Sequence, residues 1–153
     1  MGLLAALHGH CFTPGWSEMD MARLLAMPGS LALIALQDSP VGFLIGRQVA
    51  CEAEIISVGV IPAARATGVG AALLTTYAQH PSMRPVTEIF LEVAVDNHPA
   101  IALYAAQGFR KVGLRPEYYA APGKSGIKTD AILMRRRLPD ADPASENGNA
   151  TGD

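Results

Sequence analysis

The sequence predicts a layered α/β domain in which helices cover a central, mostly antiparallel sheet. Three observations carry that expectation. Strand-like and helical runs follow one another in the order α-β-β-β-α-β-α-β-β; the first two strands are joined by a tight turn; and the third strand runs through a glycine-rich turn straight into a helix. At 153 residues the chain is most simply one domain, with residues 1–138 as the folded unit and 139–153 as a tail.

Each element has its own justification. Residues 3–10 form one or two helical turns, followed by the turn-prone Cys11-Phe12-Thr13-Pro14-Gly15-Trp16. Ser17 with an acid at Asp20 reads as an N-cap, and Met19, Ala22, Leu25 and Ala26 recur at helical spacing until Pro28-Gly29, predicting a helix over about 18–27. Leu31 to Gln37 and Val41 to Val49 form a hairpin across Asp38-Ser39-Pro40; Gly42 and Gly46 within the second strand suggest bulges or close packing. Glu54 to Ile61 is the third strand, with a bulge expected at Gly59. Ala71, Leu74, Tyr77 and Ala78 give the next helix its apolar face. Val86 to Val95 is a strong strand, and Asp96-Asn97 caps a helix that carries Pro99 in its first turn and ends at Gly108. Phe109 to Tyr119 and Ile127 to Arg137 complete the sheet around a turn at Pro122 to Gly126. From Pro139 onward Pro, Asp, Asn, Gly, Ala and Ser dominate, so this tail is expected to be disordered.

Composition narrows the function. No apolar run reaches the roughly 18 residues that cross a membrane, and Met1 to His8 lacks a basic n-region, so a soluble, cytoplasmic protein is expected with no membrane partner. Cys11 and Cys51 lack metal-ligand spacing and read as small buried hydrophobes. His8, His10, His80 and His98 form no ligand pattern, so no metal is expected. The net charge of −2 includes four acids in the tail, which leaves the rest faintly positive. Such a balance does not suggest nucleic acid, and Arg135-Arg136-Arg137 reads as a strand end beside solvent. No feature sets an oligomeric state.

The chemistry concentrates at Arg65-Ala66-Thr67-Gly68-Val69-Gly70. A strand, a turn and a helix start meet there, which gathers unpaired N–H groups, the positive end of a helix dipole and glycines that admit a close anion. A phosphate-bearing ligand follows. A P-loop is excluded, because the chain has no Gly-x-x-x-x-Gly-Lys-Ser/Thr. A dinucleotide fold fits Gly68-x-Gly70 and Glu88, but the third glycine position is Leu73 and hairpins precede the loop.

The motif has company. Arg65-x-x-Gly68-x-Gly70 after a strand, Leu91-Glu92-Val93 in the next, and Asn97-x-x-Ala100-Ile101-Ala102-Leu103-Tyr104-x-x-x-Gly108-Phe109 together resemble the GNAT superfamily of acetyl-CoA-dependent N-acetyltransferases. Within it, Arg115-x-x-Tyr118-Tyr119 and Asp130-Ala131-x-x-Met134 are similar to the RimI-type ribosomal-protein alanine N-acetyltransferases. The resemblance implies the GNAT fold; as a departure from that pattern, the family's usual first strand is expected to be shortened or missing. It also implies acetyl-CoA as cosubstrate. The N–H groups of Ala66, Thr67, Gly68, Val69, Gly70 and Ala71, helped by Arg65, would cradle the pyrophosphate. Val58, Gly59 and Val60 would hold the pantetheine and polarise the thioester carbonyl, an oxyanion-hole role. Asn97 would also contact the pantetheine. Glu92 would be the general base, Tyr104 the general acid, and Trp16, Tyr118 and Tyr119 the acceptor lining.

Residue chemistry agrees with those assignments. Asn97, Ala100, Ile101 and Tyr104 share a helix face, and Glu92 interrupts an apolar strand, where burial would make it a stronger base. On residue type alone a solvent-facing Glu92 and core positions for Tyr104 and Trp16 are the plain alternatives. For the acceptor, an α-amine with pKa ~8 loses about 1.4 kcal/mol to protonation at pH 7, against about 4.6 for a lysine at ~10.4. A single carboxylate suits the first, so a protein or peptide N-terminus is the expected partner, with a ribosomal protein as the candidate the resemblance implies. The alternatives are a small-molecule amine acetyltransferase and a non-catalytic acyl-CoA sensor. Against the family pattern, Ile61 replaces a frequent acid, Ala66 a frequent basic residue, and Gly15 separates Pro14 from Trp16.

Overall fold

The computed structural model describes residues 1–120 and 128–139, with the side chains of 118–120 outside the description. The chain runs α1 (Gly2–Cys11), α2 (Glu18–Leu25), β1 (Ser30–Leu36), β2 (Pro40–Val49), β3 (Glu52–Val60), α3 (Val69–Gln79), β4 (Glu88–Ala94), α4 (His98–Ala106), β5 (Arg110–Ala120) and β6 (Lys128–Arg137). The six strands form one sheet in the order β1-β2-β3-β4-β6-β5. All neighbours are antiparallel except β3 and β4, so the sheet is mixed, with helices on both faces.

Local chemistry sets the element ends. Ser17 and Asp20 form the predicted capping box: the Ser17 Oγ accepts from the Asp20 N–H at 3.1 Å, and Asp20 Oδ2 accepts from the Ser17 N–H at 3.1 Å. Helix α2 stops at Leu25, short of the predicted end, because Gly29 turns the chain at φ +80° and Ser30 Oγ donates to Leu24 O at 2.8 Å. Strand β4 is shorter at both ends than its apolar run. Thr87 N–H goes to Cys51 O, and Val95 N–H to Asp130 O, outside the ladder.

Two cores lie on the two faces. Leu44, Ile55, Leu74, Tyr77, Ile89, Leu91, Val93, Tyr104 and Phe109 join the sheet to α3 and α4. Leu4, Leu7, Met21, Phe43 and Ile45 seat α1 and α2 on the other side. Alternation along β4 divides its residues between them: Ile89, Leu91 and Val93 are buried, whereas Phe90 and Glu92 point to the opposite face, half-exposed.

The bulge in β3 is not at Gly59. The register between β2 and β3 slips where Ile45 faces Ser57 and Gly46 faces Ile55, so Ile56 is the extra residue, and Gly59 pairs regularly with Phe43. Glycine is needed at 59 for space. A Cβ there would lie 2.8 Å from Phe43 Cε1 and 3.0 Å from Cys11 Sγ. Gly46 does combine a bulge with close packing, because the Tyr77 ring lies against its α-carbon.

Candidate active site

Strands β3 and β4 pair over four registers, Glu52 with Glu88 through Ile55 with Leu91, and the parallel ladder ends there. Beyond it β3 continues to Val60 against β2 alone, while β4 continues to Ala94 against β6. The two strands therefore splay, and Val58, Gly59 and Val60 line one side of the opening. Main-chain groups on the β4-facing side of that segment have no strand neighbour to bond. An extended ligand placed there would find donors and acceptors at strand spacing.

The glycine motif stands just past the end of β3. A single turn of 3₁₀ helix at Pro62–Ala64 leads to Arg65, whose Nε donates to Val60 O at 3.0 Å and ties the loop to the strand. Thr67 Oγ1 donates to Ala64 O at 2.6 Å. Ala66 and Gly68 take left-handed conformations, φ +58° and +88°, which turn successive N–H groups to one side. Gly68 is the N-cap of α3 and no side chain caps it; the first helical bond runs from Ala72 N–H to Gly68 O at 3.0 Å. The N–H groups of Val69, Gly70 and Ala71 thus point out of the helix end. A Cβ on Gly68 would meet nothing within 4 Å, so the concavity is open to a ligand, whereas one on Gly70 would come 2.9 Å from Leu103 Cδ2. Gly70 is the price of close α3–α4 contact. Open N–H groups at a helix start beside Arg65 are the donor set that a pyrophosphate requires.

Helix α4 starts beside β4. Asn97 caps it, its Oδ1 accepting from Ala100 N–H at 3.3 Å. Tyr104, two turns on, is 7% exposed and meets Phe109 edge-on with ring centroids 5.9 Å apart. It sits in the α3/α4 core, on the sheet face opposite the Glu92 side chain.

Glu92 lines a groove of about 600 Å³ with Trp16, Arg47, Glu54, Phe90 and Arg115. The burial of Glu92 expected from its apolar strand is only partial. The Glu92 side chain is 29% exposed, and Arg115 Nη1 lies 3.4 Å from its Oε1. The reason is geometric: the apolar neighbours of Glu92 in sequence face the other side of the sheet. Trp16 is half-buried, packed against the α1/α2 core and lining the groove at once, so the two expectations for it are compatible. Tyr118 and Tyr119 have side chains outside the described residues; in backbone, Tyr119 pairs with Thr129. The tail beyond Pro139 is likewise outside them.

Three features escaped the sequence. Arg115 belonged to a motif without a role, and its partner lies 23 residues away on β4. Glu54 and Phe90 reach the groove by two-residue alternation, a signal present but undirected until the core face was known. Asp130 Oδ1 accepts from the N–H of Glu117, φ +53°, pinning the β5 irregularity that follows Arg115.

A model of the acetyltransferase (GNAT) family matches residues 3–109. The N-alpha-acetyltransferase RimI of Mycobacterium tuberculosis is 39% identical over 92 residues, covering 60% of this chain and 53% of that protein. The [ribosomal protein bS18]-alanine N-acetyltransferase of Escherichia coli K12 is 37% identical over 92 residues, 60% of either chain. The crystal structure of the Escherichia coli ribosomal-protein-S18-alanine N-acetyltransferase superimposes with a TM-score of 0.79 at 27% identity, over 96% of this chain and 91% of that one. By sequence, the chain spans between about a fifth and two thirds of the length of the curated relatives it matches.

Proposed function

The chain belongs to the acetyltransferase (GNAT) family, and from that premise we propose that it transfers acetyl from acetyl-CoA to the N-terminal α-amine of a protein, of the ribosomal-protein alanine type. The observation that carries the proposal is the splay of β3 from β4 past Ile55 and Leu91, with the Arg65–Gly70 cradle at one end and the Glu92 groove opening on the opposite sheet face. Enzymes named for ribosomal protein bS18 alanine among its relatives suggest the acceptor. No described helix is long and apolar enough to cross a membrane, and a cytoplasmic site of action is part of the proposal.

Acetyl-CoA supplies an activated acyl group whose thiolate is a good leaving group. N–H groups of Ala66 to Ala71 hold its pyrophosphate, and Val58 to Val60 and Asn97 hold the pantetheine, with the β3 N–H groups polarising the thioester carbonyl. The amine enters from the groove. Glu92 takes its proton, directly or through one water, as the new C–N bond forms. The C–S bond breaks, and Tyr104 protonates the departing sulfur from the far face. The two proton carriers lie on opposite sides of the sheet, so one accepts where the amine arrives and the other donates where the thiol leaves. The groove carries both signs of charge, Glu52, Glu54 and Glu92 beside Arg47 and Arg115, and the Arg115 guanidinium holds the Glu92 carboxylate in place.

Mass-spectrometric profiling of a library of peptide N-termini with acetyl-CoA, including an Ala-starting ribosomal peptide, tests this directly. Acetylation confined to α-amines is the expected result. Products on polyamines or aminoglycosides but on no peptide would replace the proposal with small-amine acetylation. Binding of acetyl-CoA without release of thiol to any amine would make the protein a sensor.

A further inference from the structure

Helix α1 carries one side chain that neither the cofactor cradle nor the proton carriers use. His8 is 3% exposed and, apart from the hydroxyl-bearing Tyr77 and Tyr104, is the only polar side chain buried among the described residues. A leucine would fill such a position at lower cost, since burial disfavours a titratable ring. Its surroundings give the histidine a task. The imidazole stacks on the Trp16 indole with centroids 4.4 Å apart at 19°, and leans on Phe12 at 4.7 Å and Phe43 at 5.6 Å. Its Nδ1 accepts the main-chain N–H of Trp16 at 3.1 Å. One residue along, Gly15 lies flush on Gly9: a Cβ on Gly15 would come 2.7 Å from the Gly9 α-carbon. Two consecutive residues of the turn are therefore clamped to two consecutive residues of the helix.

We infer that His8 is a positioning residue for the acceptor, fixing Trp16 as a wall of the groove that holds Glu92 through a ring stack and a main-chain hydrogen bond. Only an imidazole with an unprotonated Nδ1 does both, so the ring carries its proton on Nε2. The same ring touches Phe43, which pairs with Gly59 at the splay. The departure of Gly15 from the family spacing acquires a reason: without a side chain, the turn can reach His8. The inference rests on the proposed acceptor side, but the clamp itself can be measured without substrate.

Trp16 is the single tryptophan, so its fluorescence reports the clamp alone. Three variants separate the terms. His8→Phe keeps a ring and loses the acceptor, His8→Asn keeps an acceptor near the Nδ1 position, and Gly15→Ala pushes the turn off α1. In His8→Phe and Gly15→Ala we expect acrylamide quenching of Trp16 to rise about twofold or more and KM for an Ala-starting peptide to rise roughly tenfold, with kcat and acetyl-CoA affinity within about twofold of wild type. His8→Asn should recover part of the KM. Long-range ¹H–¹⁵N NMR of the wild type should show His8 as the Nε2–H tautomer. Unchanged quenching and KM in folded Gly15→Ala, a parallel loss of acetyl-CoA affinity, or an Nδ1–H tautomer would each overturn the inference, even if His8→Phe does not fold. Failure of wild type to acetylate the peptide, with quenching behaving as expected, would instead count against the proposed function.

Discussion

Arg115 on β5 reaches over the intervening β6 to place its Nη1 3.4 Å from Glu92 Oε1 on β4. Side-chain exposures of 58% and 29% put the pair at the surface. Ion pairs of this kind contribute about 0–1 kcal/mol. Replacing Glu92 by Gln should therefore leave the melting temperature nearly unchanged. Turnover is another matter: loss of a general base lowers kcat by roughly 10²–10⁴-fold. Steady-state kinetics beside a thermal melt separates the two effects, and normal turnover would exclude Glu92 as the base.

Tyr104 is a buried ring packed edge-on against Phe109, so Tyr104→Phe preserves shape and apolar burial. Removing the hydroxyl should reduce kcat by about tenfold to a hundredfold at pH 7, at the low end for general acids because a thiolate with pKa near ~8.5 leaves readily. The deficit should shrink as the assay is moved to pH 9. A deficit constant with pH would point to a packing role.

The cradle can be tested at Gly68. Its φ of +88° is strained for any side chain, although a Cβ would meet no neighbour. Gly68→Ala should cost about 1–2 kcal/mol of stability from the backbone alone. Calorimetric titration should show weaker acetyl-CoA binding, since the concavity would carry a methyl group, while KM for the amine stays near wild type.

Burial holds the His8 pKa below its ordinary value of 6.5. Phe12, Trp16 and Phe43 around it are uncharged, and burial also pushes the Cys11 thiol up, keeping it neutral, against a smaller pull from Arg65. The folded state thus binds fewer protons than the unfolded one between the lowered pKa and 6.5. Stability from this site is complete above about pH 6.5, falls as pH drops below it by at most about 1.4 kcal/mol per unit, and levels off beneath the folded-state pKa. Urea titrations between pH 8 and 5 should show that slope in wild type and a shallower one in His8→Phe.

Much of the backbone geometry at Arg65–Gly70 was legible because its signal is local. Gly68 and Gly70 at a strand–helix junction, and Asn97 ahead of Pro99, declare backbone geometry within a few residues. The surroundings of Glu92 were not, because alternation along β4 separates two faces without saying which is the core. That choice depends on α3 and α4 packing against Leu91 and Val93. Gly59 misled for a related reason. A glycine in a strand signals either an extra residue or a crowded neighbour, and Phe43 and Cys11 decide the matter from other elements. The burial of His8 depends on a turn folding back eight residues later, which no helical periodicity records.

The ladder between β3 and β4 is four residue pairs long. It is also the seam between an N-terminal half, α1 through β3, and a C-terminal half, β4 through β6, bridged by α3. A ligand lying in the splay would act as a staple, adding main-chain bonds where the sheet has none and coupling the halves in proportion to its occupancy. At a hundred times Kd such a staple is worth about 2.7 kcal/mol, and amide exchange at the margins of the seam would register it before global unfolding did.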